Sequence, residues 1–233
     1  MGASRDFIPG NSDYLSVANQ PDLNFGDGTN DSPFSISAWI NMDDATNFRA
    51  IFKDGINAWQ LGCAGDDKLY FVLADKSQAS LKYQQRITAA LTAYQNSWIH
   101  ACATCDGRGG ATAYLGMHVY VNGVLADNSI YAGANYVAME PGTGALEIGR
   151  YSTQYVNGRI AWVQVYDEEL DGAQVPAIMH NPHSFPGSLV MNLPIWGSDS
   201  PEPDLTGKGH DATVNGPDEW FDGPPVTLSS NAA

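Results

Sequence analysis

The chain contains few cysteines. Only Cys63, Cys102 and Cys105 occur among 233 residues, and an odd number of cysteines is a poor framework for disulfides. Cys102 and Cys105 follow the strand-like run "SWIHA". Residues three apart on a strand face opposite sides, so this pair suits neither a shared zinc ion nor a disulfide. We therefore expect small buried thiols rather than a metal or redox motif.

Basic residues are also scarce. Eleven Lys and Arg residues stand against 26 Asp and Glu residues, which gives a formal net charge of −15. Such a chain repels the phosphates of nucleic acids and, by the same argument, an anionic membrane surface. The charge favours solubility. The partners that such an acidic surface can bind are cations, neutral sugars or a basic protein.

Long apolar runs are missing as well. No segment approaches the roughly 20 apolar residues of a membrane-spanning helix. The N-terminal stretch "MGASRDFIPGNSDY" lacks the apolar centre of a signal peptide. We expect a soluble chain that is made without a conventional signal and does not insert into membranes.

What the chain does contain is a series of short alternating segments separated by turn residues, with 24 Gly and 13 Pro in total. The clearest is a hairpin over 116–127, in which Asn122-Gly123 supplies the positive φ angles of a two-residue turn. Two helices are predicted, over 84–95 and over 171–181. The pattern predicts an all-β, antiparallel fold of two packed sheets.

The tail differs in composition from the rest of the chain. Residues 184–233 are rich in Gly, Pro and Asp and hold too few apolar residues for a core of their own. We therefore divide the chain into a sandwich over 1–183 and a C-terminal strand with an extended covering segment over 184–233, which completes the same domain.

Five segments carry a family resemblance. In order they are "FSISAWI", "SWIHACATCDG", "HVYVNGVL", "LEIGRY" and "GRIAWVQVYDEEL". Over residues 13–180 the chain resembles the laminin-G-like branch of the concanavalin A-like lectin/glucanase superfamily, which is related to pentraxins. The resemblance implies a jelly-roll sandwich. The start and end of the chain also resemble standalone laminin-G-like proteins of phage and environmental-virus sequences.

The resemblance implies a structural calcium site that this chain alters. Family members often place an Asp in a "GxIDE"-type strand start, whereas "GRIAWV" has Ala161 at that position. Alanine offers no side-chain oxygen to a hard cation. The loop "FGDGTNDS" supplies other candidate ligands, Asp27, Asn30 and Asp31. We expect no cofactor, with calcium left open as an alternative.

The resemblance to glucanases implies carboxylates spaced Glu-x-Asp-x-x-Glu along one strand, and the sequence has no such pattern. The acidic cluster 167–169 is contiguous and is predicted to be a strand end and turn. The five histidines are scattered, and His100 and His118 are expected to be satisfied sheet residues. We expect that the protein is not an enzyme. A divergent glycoside hydrolase, dependent on Glu147 or Glu169, remains an alternative.

Sugar binding needs aromatic faces with flanking polar groups. The segment "GRYSTQYVNGR" places Arg150, Tyr151, Tyr155 and Arg159 in or near one loop. Trp59 of "NAWQ" is predicted to join them as a ligand or partner site.

The strand "RIAWVQVY" is apolar on both faces, with Ile160, Trp162 and Tyr166 alternating with Ala161, Val163 and Val165. A strand of this kind is covered on both sides. We expect the facing sheet on one side and a tail, loop or partner on the other.

The expected function is a non-enzymatic, virion-associated structural or surface module, such as a capsid decoration, fibre or tail component, that acts by protein or glycan contact. The alternative is a carbohydrate-binding lectin module, with or without calcium. Expected partners are other virion proteins or surface glycans, with a homo-oligomer also considered because sandwich edges invite symmetric contacts. The expected location is the virion, with the extracellular space as the alternative.

Overall fold

The structure is a computed structural model that describes residues 3–55, 57–77, 80–185, 187–197, 200–217 and 220–226. The strands are β1 (Ala3–Phe7), β2 (Tyr14–Val17), β3 (Phe34–Met42), β4 (Ile51–Lys53), β5 (Trp59–Cys63), β6 (Lys68–Asp75), β7 (Lys82–Ala90), β8 (Trp98–Cys105), β9 (Met117–Val121), β10 (Val124–Leu125), β11 (Ser129–Ala132), β12 (Leu146–Ile148), β13 (Arg150–Tyr151), β14 (Gln154–Tyr155), β15 (Gly158–Tyr166), β16 (Leu189–Leu193), β17 (Ala212–Asn215) and β18 (Trp220–Asp222). The α-helix is α1 (Gln174–His180), and short 3-10 turns cover Pro9–Asn11, Pro21–Leu23, Ala45–Asn47, Thr92–Tyr94 and Gly110–Gly116.

Two large antiparallel sheets make up the fold. One has the order β10-β9-β8-β3-β15-β1-β18, with β16 also paired to β15; the other has the order β11-β7-β6-β5-β4-β12-β2-β17. Their inner faces pack on one continuous apolar core that includes Phe34, Trp59, Phe71 and Ile148. The predicted all-β, antiparallel jelly-roll sandwich is confirmed.

The outer faces of the two sheets differ. The outer face of the first sheet packs on α1 through Val175 and Ile178, and its tryptophans contact Met179 and Val226. We call this sheet the covered sheet. The second sheet presents partly exposed outward side chains, among them Tyr14, Gln60 and Tyr70, and we call it the open sheet.

The hairpin predicted over 116–127 is confirmed as β9 and β10, with positive φ angles of 52° at Asn122 and 77° at Gly123. The predicted helix over 171–181 is confirmed in position as α1. The predicted helix over 84–95 is wrong, because β7 occupies most of it and pairs with β6 and β11 on its two sides. These pairings bind the backbone groups that a helix would have satisfied internally.

The central strand β15 breaks its alternation at Trp162. This residue has a φ of 51°, and the pairing of β15 with β3 shifts register directly after Ala161. As a result Ala161 and Trp162, which are adjacent, both lie on the outer side, whereas Ile160 and Val163 both lie in the core between the sheets. The predicted cover on both faces is confirmed, but the predicted grouping of residues is wrong because of this bulge.

The tail contributes to both sheets. The strand β16 pairs with β15, β18 pairs with β1, and β17 pairs with β2 of the open sheet. The sequence predicts one C-terminal strand, whereas the described part of the tail has three. The boundary at residue 183 stays a prediction. Among the described residues, no helix is long and apolar enough to cross a membrane.

Candidate functional site

A row of outward side chains crosses the open sheet. Strand register places Glu147 opposite Phe52, Phe52 opposite Gln60 and Gln60 opposite Val72. The next pair in the row is Val72 and Gln85. Because directly opposed residues share a face, the row brings one acid, two apolar groups and two amides onto one surface.

A recess of about 240 Å³ opens in this row. Phe52 and Val72 form its floor, each only 1% exposed. Its polar walls are the side chains of Arg49, Gln60, Tyr70 and Gln85. Ring and aliphatic surface beside amide and guanidinium groups is the usual composition of a small-molecule site. We call this recess the sheet pocket.

Gly62 places Arg49 at the sheet pocket. A Cβ at Gly62 would lie 3.0 Å from both the Ala50 nitrogen and the Phe48 oxygen. The segment 48–50 thus runs tightly against β5, and Cys63 N donates to Phe48 O at 2.8 Å. A larger residue at 62 would push this segment, and the arginine with it, away from the sheet.

Two polar atoms of the sheet pocket are buried without a partner. They are Arg49 Nε and Gln60 Oε1, for which the described residues provide no hydrogen bond. Burial lowers the pKa of the Arg49 guanidinium below its usual value, and the group stays charged at neutral pH. Since unsatisfied buried polar groups cost free energy, a ligand hydroxyl or anion that reaches them is stabilised.

The hairpin β13–β14 brings Tyr151, which the sequence predicts to be part of a ligand site, to the rim of the sheet pocket. Its ring stacks on Phe52 at 4.9 Å with an interplanar angle of 24°, and the Arg49 guanidinium lies 5.8 Å from its centroid. Burial raises the pKa of Tyr83, which also interacts electrostatically with Tyr151 and Tyr131. Tyr83, which is partly exposed on β7, adds a further aromatic side chain to the open sheet.

Two other residues of the predicted ligand site, Arg150 and Tyr155, lie together next to this rim. Arg150 hydrogen-bonds Glu147 through Nε at 3.2 Å and lies 3.5 Å above the ring of Tyr14. Tyr155 packs on the same Tyr14 ring at 6.3 Å. The charges of Arg150 and Glu147 therefore neutralise each other beside the sheet pocket.

Two other predicted residues do not join this surface. Trp59 is 1% exposed and points inward, where its Nε1 donates to Leu23 O at 3.0 Å. Arg159 lies on β15 of the covered sheet and stacks on Phe221 at 4.6 Å. The grouping of Trp59 and Arg159 with the loop is wrong, because the parity of β5 turns Trp59 inward and Arg159 belongs to the other sheet.

Two of the three candidate calcium ligands, Asp27 and Asp31, accept hydrogen bonds from within the protein. Asp27 Oδ1 accepts from Thr29 N and Asn30 N at 2.8 and 2.7 Å. Asp31 accepts from Tyr136 Oη at 2.7 Å and from Met139 N at 2.8 Å, and burial raises its pKa to about 6. Across the described part of the chain, no group of three or more His, Cys, Asp or Glu residues could hold a metal ion.

The carboxylates of the hydrolase alternative lie apart in the fold. Glu147 lies on β12 of the open sheet, whereas Glu169 follows β15 of the covered sheet. Residues 167–169 form the strand end before α1, as predicted.

Cys102 and Cys105 are buried on opposite faces of β8, also as predicted. His100 is not the satisfied sheet residue expected, because its buried Nδ1 has no partner among the described residues.

Comparison with protein families assigns the fold to a known group. Residues 9–176 match the family model Laminin_G_3, described as the concanavalin A-like lectin/glucanases superfamily. The chain belongs to this superfamily. No curated protein matches it in sequence.

The chain is also similar to several solved structures. A proposed carbohydrate-binding protein from Bacteroides ovatus ATCC 8483 superposes with a TM-score of 0.66 at 19% identity, covering 98% of this chain and 62% of that one. The chain thus spans 62% of the length of that protein. A native heptameric SAP-like pentraxin from Limulus polyphemus has a TM-score of 0.45 at 14% identity, covering 93% and 94% of the two chains. The binding domain of botulinum neurotoxin DC, solved with rat synaptotagmin II, has a TM-score of 0.46 at 18% identity, covering 63% and 35%.

Within this concanavalin A-like protein, sequence reasoning missed most of the sheet pocket. It identified Tyr151 but not Arg49, Gln60, Tyr70 or Gln85. The available signal was the alternation in β5, β6 and β7, which places Gln60, Tyr70 and Gln85 at outward positions of neighbouring strands. Arg49 carried no signal, since it precedes β4 in an irregular segment.

Proposed function

We propose that this protein is a non-enzymatic carbohydrate-binding module whose site is the sheet pocket and the aromatic rim around it. The observation that carries the proposal is a recess of about 240 Å³ that is lined by the ring of Tyr70 and holds two buried polar atoms without partners among the described residues. Sugars present C–H faces that pack on rings and hydroxyls that hydrogen-bond at the edges, so they match both features.

The sheet pocket is large enough for one sugar ring but not for a long segment of a polysaccharide. Its volume of about 240 Å³ is below the roughly 300–1,000 Å³ of pockets for drug-sized ligands. Further sugar units of a chain would lie along the open sheet, over Tyr151 and Tyr83. The concanavalin A-like fold and its carbohydrate-binding structural neighbour are consistent with this use of the surface.

The test is binding to a glycan array, followed by calorimetric titration of the strongest ligand. We expect Tyr70→Ala to weaken binding about 10-fold, because Tyr70 lines the sheet pocket and a ring face that a ligand buries contributes about 1.5 kcal/mol to the binding free energy. Tyr94→Ala is the matched control, since Tyr94 is 39% exposed and does not line the sheet pocket. Equal loss in both variants, or no saccharide ligand at all, would contradict the proposal.

We also propose that binding proceeds without calcium, since Asp27 and Asp31 already accept internal hydrogen bonds. The same titration in excess chelator is expected to give an unchanged affinity. Absence of enzymatic turnover belongs to the same proposal and is checked by incubating the array ligand with the protein and analysing the products.

The virion-associated role, the virion location and the homo-oligomer stay predictions. Detection of the chain in purified particles tests the first two, and light scattering of the purified protein tests the third. Glycan contact at a particle surface is compatible with the site proposed here.

A further inference from the structure

The charge in the sheet pocket differs in sign from that of the molecule. Its one charged lining residue is Arg49, whereas the chain as a whole has a formal net charge of −15. Arg49 is half-buried, and a cation removed from water is stabilised by a carboxylate partner. Among the described residues, no carboxylate forms an ion pair with Arg49. Its guanidinium instead lies 5.8 Å from the centroid of the Tyr151 ring.

Two acids on or beside the strands of the sheet pocket are paired with other cations. Asp66 accepts from Tyr70 Oη at 3.0 Å and lies 2.9 Å from Lys68 Nζ. Glu147, next to Phe52 in the row across the open sheet, is bound by Arg150. Neither of these acids therefore compensates the positive charge of Arg49.

The two orphan atoms complement different parts of one ligand. Arg49 Nε is a charged donor that suits an anionic oxygen, and the fork geometry of a guanidinium suits a planar carboxylate. Gln60 Oε1 is an acceptor that suits a hydroxyl donor. A sugar ring that carries a carboxylate and a free hydroxyl provides both groups on one rigid frame.

We propose that the sheet pocket selects a carboxylated sugar, a uronic acid unit, with its carboxylate on Arg49 and a ring hydroxyl on Gln60. This inference rests on the proposed carbohydrate-binding function and names its ligand class. The strongly negative net charge makes nonspecific attraction of a polyanion unfavourable. Binding of an acidic saccharide would therefore require a local site.

The experiment compares three probes by titration with the whole protein. They are an oligogalacturonide, the same oligomer as its methyl ester, and a neutral oligosaccharide of equal length. We expect the acid to bind at least about 10-fold more tightly than its ester, since a hydrogen bond to a charged group contributes about 1.5–3 kcal/mol. Equal binding of acid, ester and neutral oligomer would overturn the anionic selectivity and leave the proposed function standing.

Arg49→Gln tests the residue itself. We expect about a 10- to 100-fold loss of affinity for the acid, and an unchanged near-ultraviolet circular dichroism spectrum checks that the variant is folded. Arg108→Gln is the matched control, because Arg108 is exposed and paired with Asp106. A sulfated oligosaccharide that binds as well as the uronate would overturn the carboxylate assignment. Failure of every saccharide would overturn both this inference and the proposed function.

Discussion

His100 couples the stability of the fold to pH. It lies in β8 with 1% of its surface exposed, and its ring packs on Trp39 at 5.5 Å. Burial, with a smaller contribution from His180, lowers the pKa of the imidazole from 6.5 to about 3. Below pH 6.5 the unfolded chain thus binds a proton that the folded state excludes. Stability is fully present above pH 6.5 and is lost as the pH falls toward 3.

We predict that, because of His100 alone, the free energy of unfolding falls by about 2 kcal/mol when the pH is lowered from about 7 to about 5. His100→Leu removes the titrating group, so its free energy of unfolding should decline less over this range by that amount. Urea denaturation of both proteins across the range measures the difference. The same pH dependence in both proteins would contradict the assignment.

At the scale of elements, a buried polar network fixes the turn before β17. His210 is 0% exposed, with Nδ1 3.1 Å from Asp204 and Nε2 2.9 Å from Asp22. Asp204 also accepts from Asn192 N of β16 at 3.0 Å. The network therefore ties the tail both to the covered sheet and to the turn Pro21–Leu23.

We predict that His210→Ala lowers the free energy of unfolding by about 1–3 kcal/mol, because it leaves a buried carboxylate with an unfilled hydrogen-bond position. Asp22→Asn is the control. Its side chain is 48% exposed, and exposed ion pairs contribute at most about 1 kcal/mol. Chemical denaturation compares the two variants, and a loss in Asp22→Asn as large as in His210→Ala would argue against a buried anchor at His210.

Elements with a strong local signal were predictable from the sequence. The β9–β10 hairpin has alternating residues and an Asn-Gly turn, which are both local features. The strand β7 was missed because its conformation depends on pairing with β6 and β11, and local propensity is outweighed by such tertiary contacts. The bulge at Trp162 was missed for a similar reason, since strict alternation assumes an unbroken register.

The candidate site was only partly predictable, because it is assembled across strands that are distant in sequence. Tyr151 was identified from its loop, but its neighbour Phe52 lies about a hundred positions earlier and becomes its partner through the pairing of β12 with β4. Trp59 was misplaced because "NAWQ" does not reveal on which side of β5 each residue lies.

At the scale of the whole molecule, the two outer faces have different roles. Helix α1 and the tail pack on the outer face of one sheet. The other sheet retains a recess, an aromatic rim and a guanidinium that has no carboxylate partner among the described residues, on a molecule of net charge −15. This asymmetry is what the account of glycan binding depends on.

The most direct test of that account is an NMR titration of isotope-labelled protein with the oligogalacturonide. The account predicts saturable chemical-shift changes concentrated at Arg49, Gln60, Tyr70 and Gln85, with helix α1 unaffected. Changes confined to the covered sheet or to the loops at the ends of the sandwich, or none at all, would contradict it.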